Sequence, residues 1–188
     1  MSMKVTAAPS VEPCTAAEVK LIARMTATGL DSLIASDYIP AARRACEQRT
    51  QRYLTTQTVT LTLEDWPHGD CIDIPRGPIL SVTSIVYRDT TGSSQTLSSA
   101  SYEFKQVSDS VPPEIALLPG YSWPALGDYE DAVIVTMQAG YGATAAHVPH
   151  DLRMWVMAAA GEMVRTGSLD IPRDFAAGLL DAQSILSA

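Results

Sequence analysis

From Thr55 onward, apolar and polar residues alternate: Val59, Leu61 and Leu63 are interleaved with Thr58, Thr60 and Thr62. A period of two in β-branched residues predicts a half-buried strand. Turn chemistry at Pro67-His68-Gly69-Asp70 separates it from a short strand at Cys71 to Ile74, and the rigid connector Pro75 to Pro78 precedes another strand at Ile79 to Arg88. Asp89-Thr90-Thr91-Gly92 reverses the chain, and Ser101 to Val107, Glu114 to Leu118 and Asp131 to Ala139 continue the series. No helical pattern interrupts these strands, so antiparallel pairing is expected.

On either side the period changes to that of a helix. Thr15-Ala16-Ala17-Glu18 forms a capping box, followed by Val19, Ile22, Ala23 and Thr26 at helical spacing, with Thr28-Gly29 as the stop. A second pattern places Leu30, Leu33, Ile34, Ala41, Ala45 and Cys46 on one side and Arg43, Arg44, Glu47, Arg49 and Arg52 largely on the other. Pro40 removes an N–H and crowds the preceding turn, which predicts a kink or break and a cleaner helix from Pro40 to Tyr53.

A third helix is expected to begin near Val148, with Leu152, Trp155, Val156, Ala159 and Met163 on one face and Arg153, Glu162 and Arg165 on another. Ala158-Ala159-Ala160-Gly161 offers a smooth side for close approach, and Thr166-Gly167-Ser168 ends the helix. A last amphipathic stretch carries Phe175, Leu179, Leu180, Ile185 and Leu186; Gly178 and the free end make it weak unless it packs on a surface. The predicted class is α+β. Helices from both ends form a small bundle (residues 14–54 and 148–166), residues 55–140 form an antiparallel sheet, and residues 171–188 are a docking tail, all within one domain.

Composition narrows the functions open to such a chain. Its 188 residues, 46% hydrophobic, suit one core or one core with a satellite layer. No apolar run is long enough to span a membrane and MSMKVTAAPSVEP has no signal-peptide pattern, so a soluble protein made in a cytoplasm is expected. Cys14, Cys46 and Cys71 are odd in number and scattered, which fits reduced thiols rather than a disulfide framework. A net charge of −8 argues against a phosphate-gripping surface.

Several motifs invite a chemical reading. Gly140-Tyr141-Gly142 with Ala145 spells G-x-G-x-x-A, yet the dinucleotide fingerprint requires a helix that opens at the glycines, and Pro149 places the helix start beyond them. A strand-to-helix joint is the better reading. His68 with Cys71 and His147 with His150 could ligate zinc, or serve a small-ligand enzyme, if two loops met; as isolated turn residues they are ordinary polar positions. Glu64-Asp65 and Asp128, Glu130, Asp131 read as solvated loop carboxylates. Arg43, Arg44, Glu47, Arg49 and Arg52 read as ion pairs on a helix face or across a subunit contact. No nucleophile motif is present, so no catalytic residue, metal or cofactor is assigned.

The succession of segments carries more information than any one motif. VEPCTAAEVK, a helix ending QRYL, TQTVTLTLEDWP, IDIPRGPILSVTSIVYRD, SYEF, PEIALLPGYSWPAL and AVIVTMQAGYGATAAHVPHDLRMWVMAAAGEMV together resemble the head-tail connector (adaptor) proteins of tailed bacteriophages and prophages, in a branch with a β insertion between connector helices. The resemblance implies a non-enzymatic virion component, made in the host cytoplasm. Such proteins form a ring, commonly of twelve copies, below the portal, and present a surface to the next connector, stopper or tail protein. It further implies that DNA passes the channel without specific binding, and that Phe175, Leu179, Leu180, Ile185 and Leu186 contact the portal. Another self-assembling role, in a tail tube or capsid, is the neighbouring alternative.

Overall fold

The computed structural model describes residues 1–26, 29–108 and 111–167. It is α+β and divides into two compact units, each assembled from separated stretches of chain. Met1–Pro9 and Gln57–Gly140 make the first; Ser10–Thr56 and the segment that begins at Tyr141 make the second. The tail positions Phe175, Leu179, Leu180, Ile185 and Leu186 lie outside the described residues.

The first unit is built of strands: β1 (Ser2–Ala7), β2 (Gln57–Leu63), β3 (Cys71–Asp73), β4 (Ile79–Arg88), β5 (Ser94–Thr96), β6 (Tyr102–Lys105), β7 (Glu114–Leu117) and β8 (Val133–Ala139). They form a five-stranded sheet in the order β1-β2-β8-β4-β5 and a three-stranded sheet in the order β3-β7-β6. Every pairing between these strands is antiparallel; among β2 to β8 this agrees with the absence of intervening helices, whereas β1 pairs antiparallel with β2 although a helical stretch separates them in sequence.

β8 lies centrally, and its alternation is complete: Val133, Val135, Met137 and Ala139 are buried while the residues between them are half-buried. Cross-strand partners share a face, so the register lines up Leu61, Val135 and Ile85 in one row across β2, β8 and β4. All three side chains are fully buried, each worth about 1.5–3 kcal/mol relative to exposure. Two register shifts, between Ile79 and Ser81 and between Val82 and Ser84, bend β4 against β8.

β1 and β5 have no counterpart in the expectations above. Met3, Val5 and Ala7 do alternate with Lys4 and Thr6. Such a short stretch becomes a strand only because β2 offers it a partner, with Met3 opposite Leu61 and Val5 opposite Val59.

The second unit is helical. In α1 (Ala16–Ile22) the expected capping box is formed: the Glu18 N–H donates to Thr15 Oγ1 at 3.3 Å, and the Thr15 N–H donates to Glu18 Oε2 at 2.8 Å. The helix stops at Ile22, well before Gly29, because Arg24 takes a positive φ of 52°. Ile22 therefore does not share the burial of Val19 and is 37% exposed.

A short α2 (Asp31–Leu33) passes through a π-helical segment, Ile34–Tyr38, into α3 (Ile39–Thr50). The interruption expected at Pro40 thus takes the form of a widened turn, which accommodates a residue with no N–H to donate and a ring that crowds the previous turn. α3 ends earlier than the predicted Tyr53. Gln51 adopts the left-handed conformation at φ 55°, and its N–H donates to the Glu47 carbonyl.

Before α4 (His150–Thr166), Ala145–His147 form a 3-10 turn where a plain loop was expected, and Pro149 serves as N-cap. Gly167, left-handed at φ 71°, caps the C-terminus by donating to the Met163 carbonyl. One apolar core joins these helices, drawing Cys14 and Val19 from the first segment, Ile34, Ile39, Ala42 and Cys46 from the second, and Leu152, Trp155, Val156 and Met163 from α4. Gly161 of α4 allows the close approach predicted for its small-residue side, since a Cβ there would stand 3.1 Å from the Ala23 Cβ.

Candidate functional site

The charged residues of α3 divide into two sets. Arg43 and Glu47 point inward, only 4% exposed, whereas amphipathic spacing assigns them to the solvent side. Arg43 Nη1 donates to Glu47 Oε2 at 3.0 Å and Arg43 Nε donates to Glu12 Oε2 at 2.8 Å. The other Glu47 oxygen accepts the Leu54 N–H at 3.0 Å, holding the chain as it leaves the helix. Arg52, 1% exposed, donates through Nη1 to the Tyr141 hydroxyl at 2.8 Å.

These three residues act inside the protomer. Burying them is tolerable because each charge meets an opposite charge or a polar partner. Arg44 and Arg49 remain at the surface, with the Arg49 guanidinium 5.9 Å from the Trp155 ring centroid.

The glycine joint is now defined. Gly140 N–H donates to the Pro78 carbonyl, and the Tyr141 N–H donates to the Leu54 carbonyl. The His147 ring lies against Gly142, where a Cβ would stand 2.5 Å from the ring Cγ. His147 Nδ1 is 2.9 Å from Thr144 Oγ1. The residues that would have cradled a pyrophosphate are thus occupied with packing, and α4 opens eight positions past Gly142.

His68, His147 and His150 are exposed, and Cys71 is half-buried. The first histidine and Cys71 belong to the sheet unit, the other two histidines to the helical unit. Among the described residues no three His, Cys, Asp or Glu side chains converge as a metal site requires. Asp65 Oδ1 accepts the Trp66 N–H, and Asp131 pairs with Arg88 at 2.9 Å; Glu64, Asp128 and Glu130 are exposed. Burial pushes the Cys14 and Cys46 thiols up to about 12, so neither is a nucleophile near neutral pH.

What the surface does offer is apolar. Val5 is 44% exposed, Leu21 80%, Leu80 46% and Val107 85%. Periodicity alone does not single these out, because each lies within an ordinary strand, helix or turn pattern. A hollow of about 240 Å³ is lined by Ile22, Ala23, Ala158, Gly161, Glu162 and Arg165. A second, of about 280 Å³, is lined by Met1, Leu63, Asp65, Pro67, Cys71, Ile72 and Asp73. Neither gathers the convergent polar groups of an active site. Beside the sheet, Trp66 and Trp123 stack with centroids 4.4 Å apart, their indole N–H groups donating to the Pro124 and Gly69 carbonyls respectively.

No family model and no curated protein matches the sequence. Solved structures do match it, over its whole length. A chain in the virion of a native gene transfer agent particle superposes with a TM-score of 0.81 at 23% identity, covering 100% of this chain and 97% of that one. A chain in the neck of an empty gene transfer agent particle, computed with C6 symmetry, gives 0.81 at 22% identity. A third, in the neck of a native particle computed with C12 symmetry, gives 0.73 at 22% identity; coverage is the same for both. The fold, both units included, is therefore that of chains found in these particles.

Proposed function

We propose that the chain is a structural neck component of a phage-like particle: an adaptor that forms a ring below the portal and joins the DNA-filled head to the downstream neck or tail protein. The observation that carries this reading is the end-to-end likeness to neck chains, 100% of one chain on 97% of the other. A match confined to one unit would have pointed only to a shared module. Necks computed with C6 and C12 symmetry support a ring, and twelve copies fits both.

The distribution of chemistry supports the same reading. The buried charges stabilise the protomer, and the exposed side chains of note are apolar, which suits a protein that acts by association. The formal charge of −8 per copy, multiplied around a ring, would repel phosphate and let DNA pass without adhering. The stretch from Phe175 to Leu186 remains the proposed portal contact.

Deleting the gene in a particle-producing host tests the proposal. Filled heads without tails are the expected product, with rescue by the full chain and labelled protein located directly below the portal. Tailed, infectious particles without the protein, or label confined to tail tube or capsid shell, would refute the adaptor role.

A further inference from the structure

The five-stranded sheet ends on one side in β1, whose residues are exposed apart from a half-buried Met3. β1 pairs with β2 and, among the described residues, with no other strand, leaving an outer row of backbone N–H and C=O groups open. Met3 and Val5 stand opposite Leu61 and Val59, so they extend the apolar face of the sheet. Their partners are fully buried whereas Val5 is 44% exposed. The apolar layer therefore runs past the area that the protomer itself covers.

The far side of the same sheet is also unfinished. β5 covers β4 only at Val86, Tyr87 and Arg88. At the other end of β4, the Ile79 N–H donates to Gln106 Oε1 at 2.9 Å, which ties the segment that carries Val107 to the strand that carries Leu80. Both are exposed apolar side chains.

We propose that these two ends are the two halves of the subunit contact: the β1 edge with Met3 and Val5 of one copy packs against the Leu80 and Val107 end of β4 in the next. The inference rests on the ring reading above and names the surface that builds the ring. A second copy is the fitting occupant because a head-to-tail ring needs two different patches on one chain, and this sheet carries one at each side. Strand direction agrees. Three successive antiparallel pairings, β1 with β2, β2 with β8 and β8 with β4, make β1 antiparallel to β4. A sideways repeat of the sheet thus sets β1 of one copy antiparallel to β4 of its neighbour, continuing the alternation. Lys4, on the opposite face from Met3 and Val5, discourages indiscriminate edge pairing by the free protomer.

Cross-linking in assembled particles tests the contact. The full chain carrying Val5→Cys, Leu80→Cys and Cys71→Ser is incorporated into particles and treated with a short bismaleimide. A ladder of covalent multimers is expected from the double-cysteine chain. With Cys71→Ser retained, Val5→Cys or Leu80→Cys alone should yield no ladder, and a mixture of the two singles should stop at dimers. A monomer band from particles whose neck ring is visible by electron microscopy overturns the contact while leaving the ring reading intact. Absence of the chain from the neck overturns both.

As a second measurement, Val5→Lys should leave the thermal melt of the free protein unchanged and lower incorporation into particles at least tenfold. Unchanged incorporation would exclude the β1 edge.

Discussion

His147 covers Gly142 so closely that a Cβ on the glycine would stand 2.5 Å from the imidazole Cγ. The pair packs the turn that leads into α4. It also explains why a sequence that spells a dinucleotide fingerprint carries none of its geometry. The glycine is needed for a side chain, not for a phosphate.

Gly142→Ala should consequently destabilise the protein by about 1–3 kcal/mol, the usual cost of forcing extra volume into a packed site. Adding His147→Ala should restore part of that loss by removing the obstructing ring. Chemical denaturation of the two variants measures it, and additive losses in the double variant would contradict the packing account.

Glu47 pairs with Arg43 and accepts the Leu54 N–H. Glu47→Ala leaves a buried guanidinium held by Glu12 alone and an orphaned backbone donor, so a loss of about 3–5 kcal/mol is expected. Glu47→Gln should cost less, because an amide oxygen can still accept from Leu54. Equal losses for the two substitutions in urea titrations would show that the Leu54 hydrogen bond contributes nothing, and no loss in either would show that neither contact matters. Arg44→Ala, at an exposed position of the same helix, should stay within about 0.5 kcal/mol of the parent.

The turn at Asp89 predicts an acid response. Hydrogen bonds from the Thr91 hydroxyl and the Gln95 amide, with further ones from backbone N–H groups, hold its carboxyl down at about 2. A carboxylate depressed in the folded state adds stability above its unfolded pKa of about 3.9 and loses it as pH falls through the folded value. The order of the β4–β5 hairpin should therefore weaken between about pH 4 and pH 2, and Asp89→Asn should flatten that dependence. Amide chemical shifts of Thr91 and Ser93 followed through an acid titration would report it.

Thiol labelling separates the three cysteines. Cys14 and Cys46, buried and raised to about 12, should react with maleimide at neutral pH only as fast as the protein opens. Cys71, less buried, should label first despite a thiol pKa also raised by desolvation. Three equal rates in native buffer would contradict the described core.

Much of the fold was legible in the chain itself. The Thr58 to Leu63 alternation, the capping box at Thr15 and the proline-glycine limits of α4 are local signals, set by side-chain period, hydrogen-bonding reach and backbone freedom. Antiparallel pairing among β2 to β8 followed from the absence of helices between those strands. The sequence thereby determined the α+β class, most element positions and a helix start beyond Gly142.

Tertiary structure alone decided the rest. Residues 2–7 became a strand because β2, more than fifty residues away in sequence, offers a hydrogen-bonding edge. Arg43 and Glu47 turned inward because Glu12 and the Leu54 N–H complete their pairing, and helical period has no access to partners supplied from elsewhere. For the same reason the exposure of Val5, Leu80 and Val107 was invisible in one dimension. Whether an apolar residue is covered depends on which surfaces meet it, and those surfaces exist only once the chain has folded.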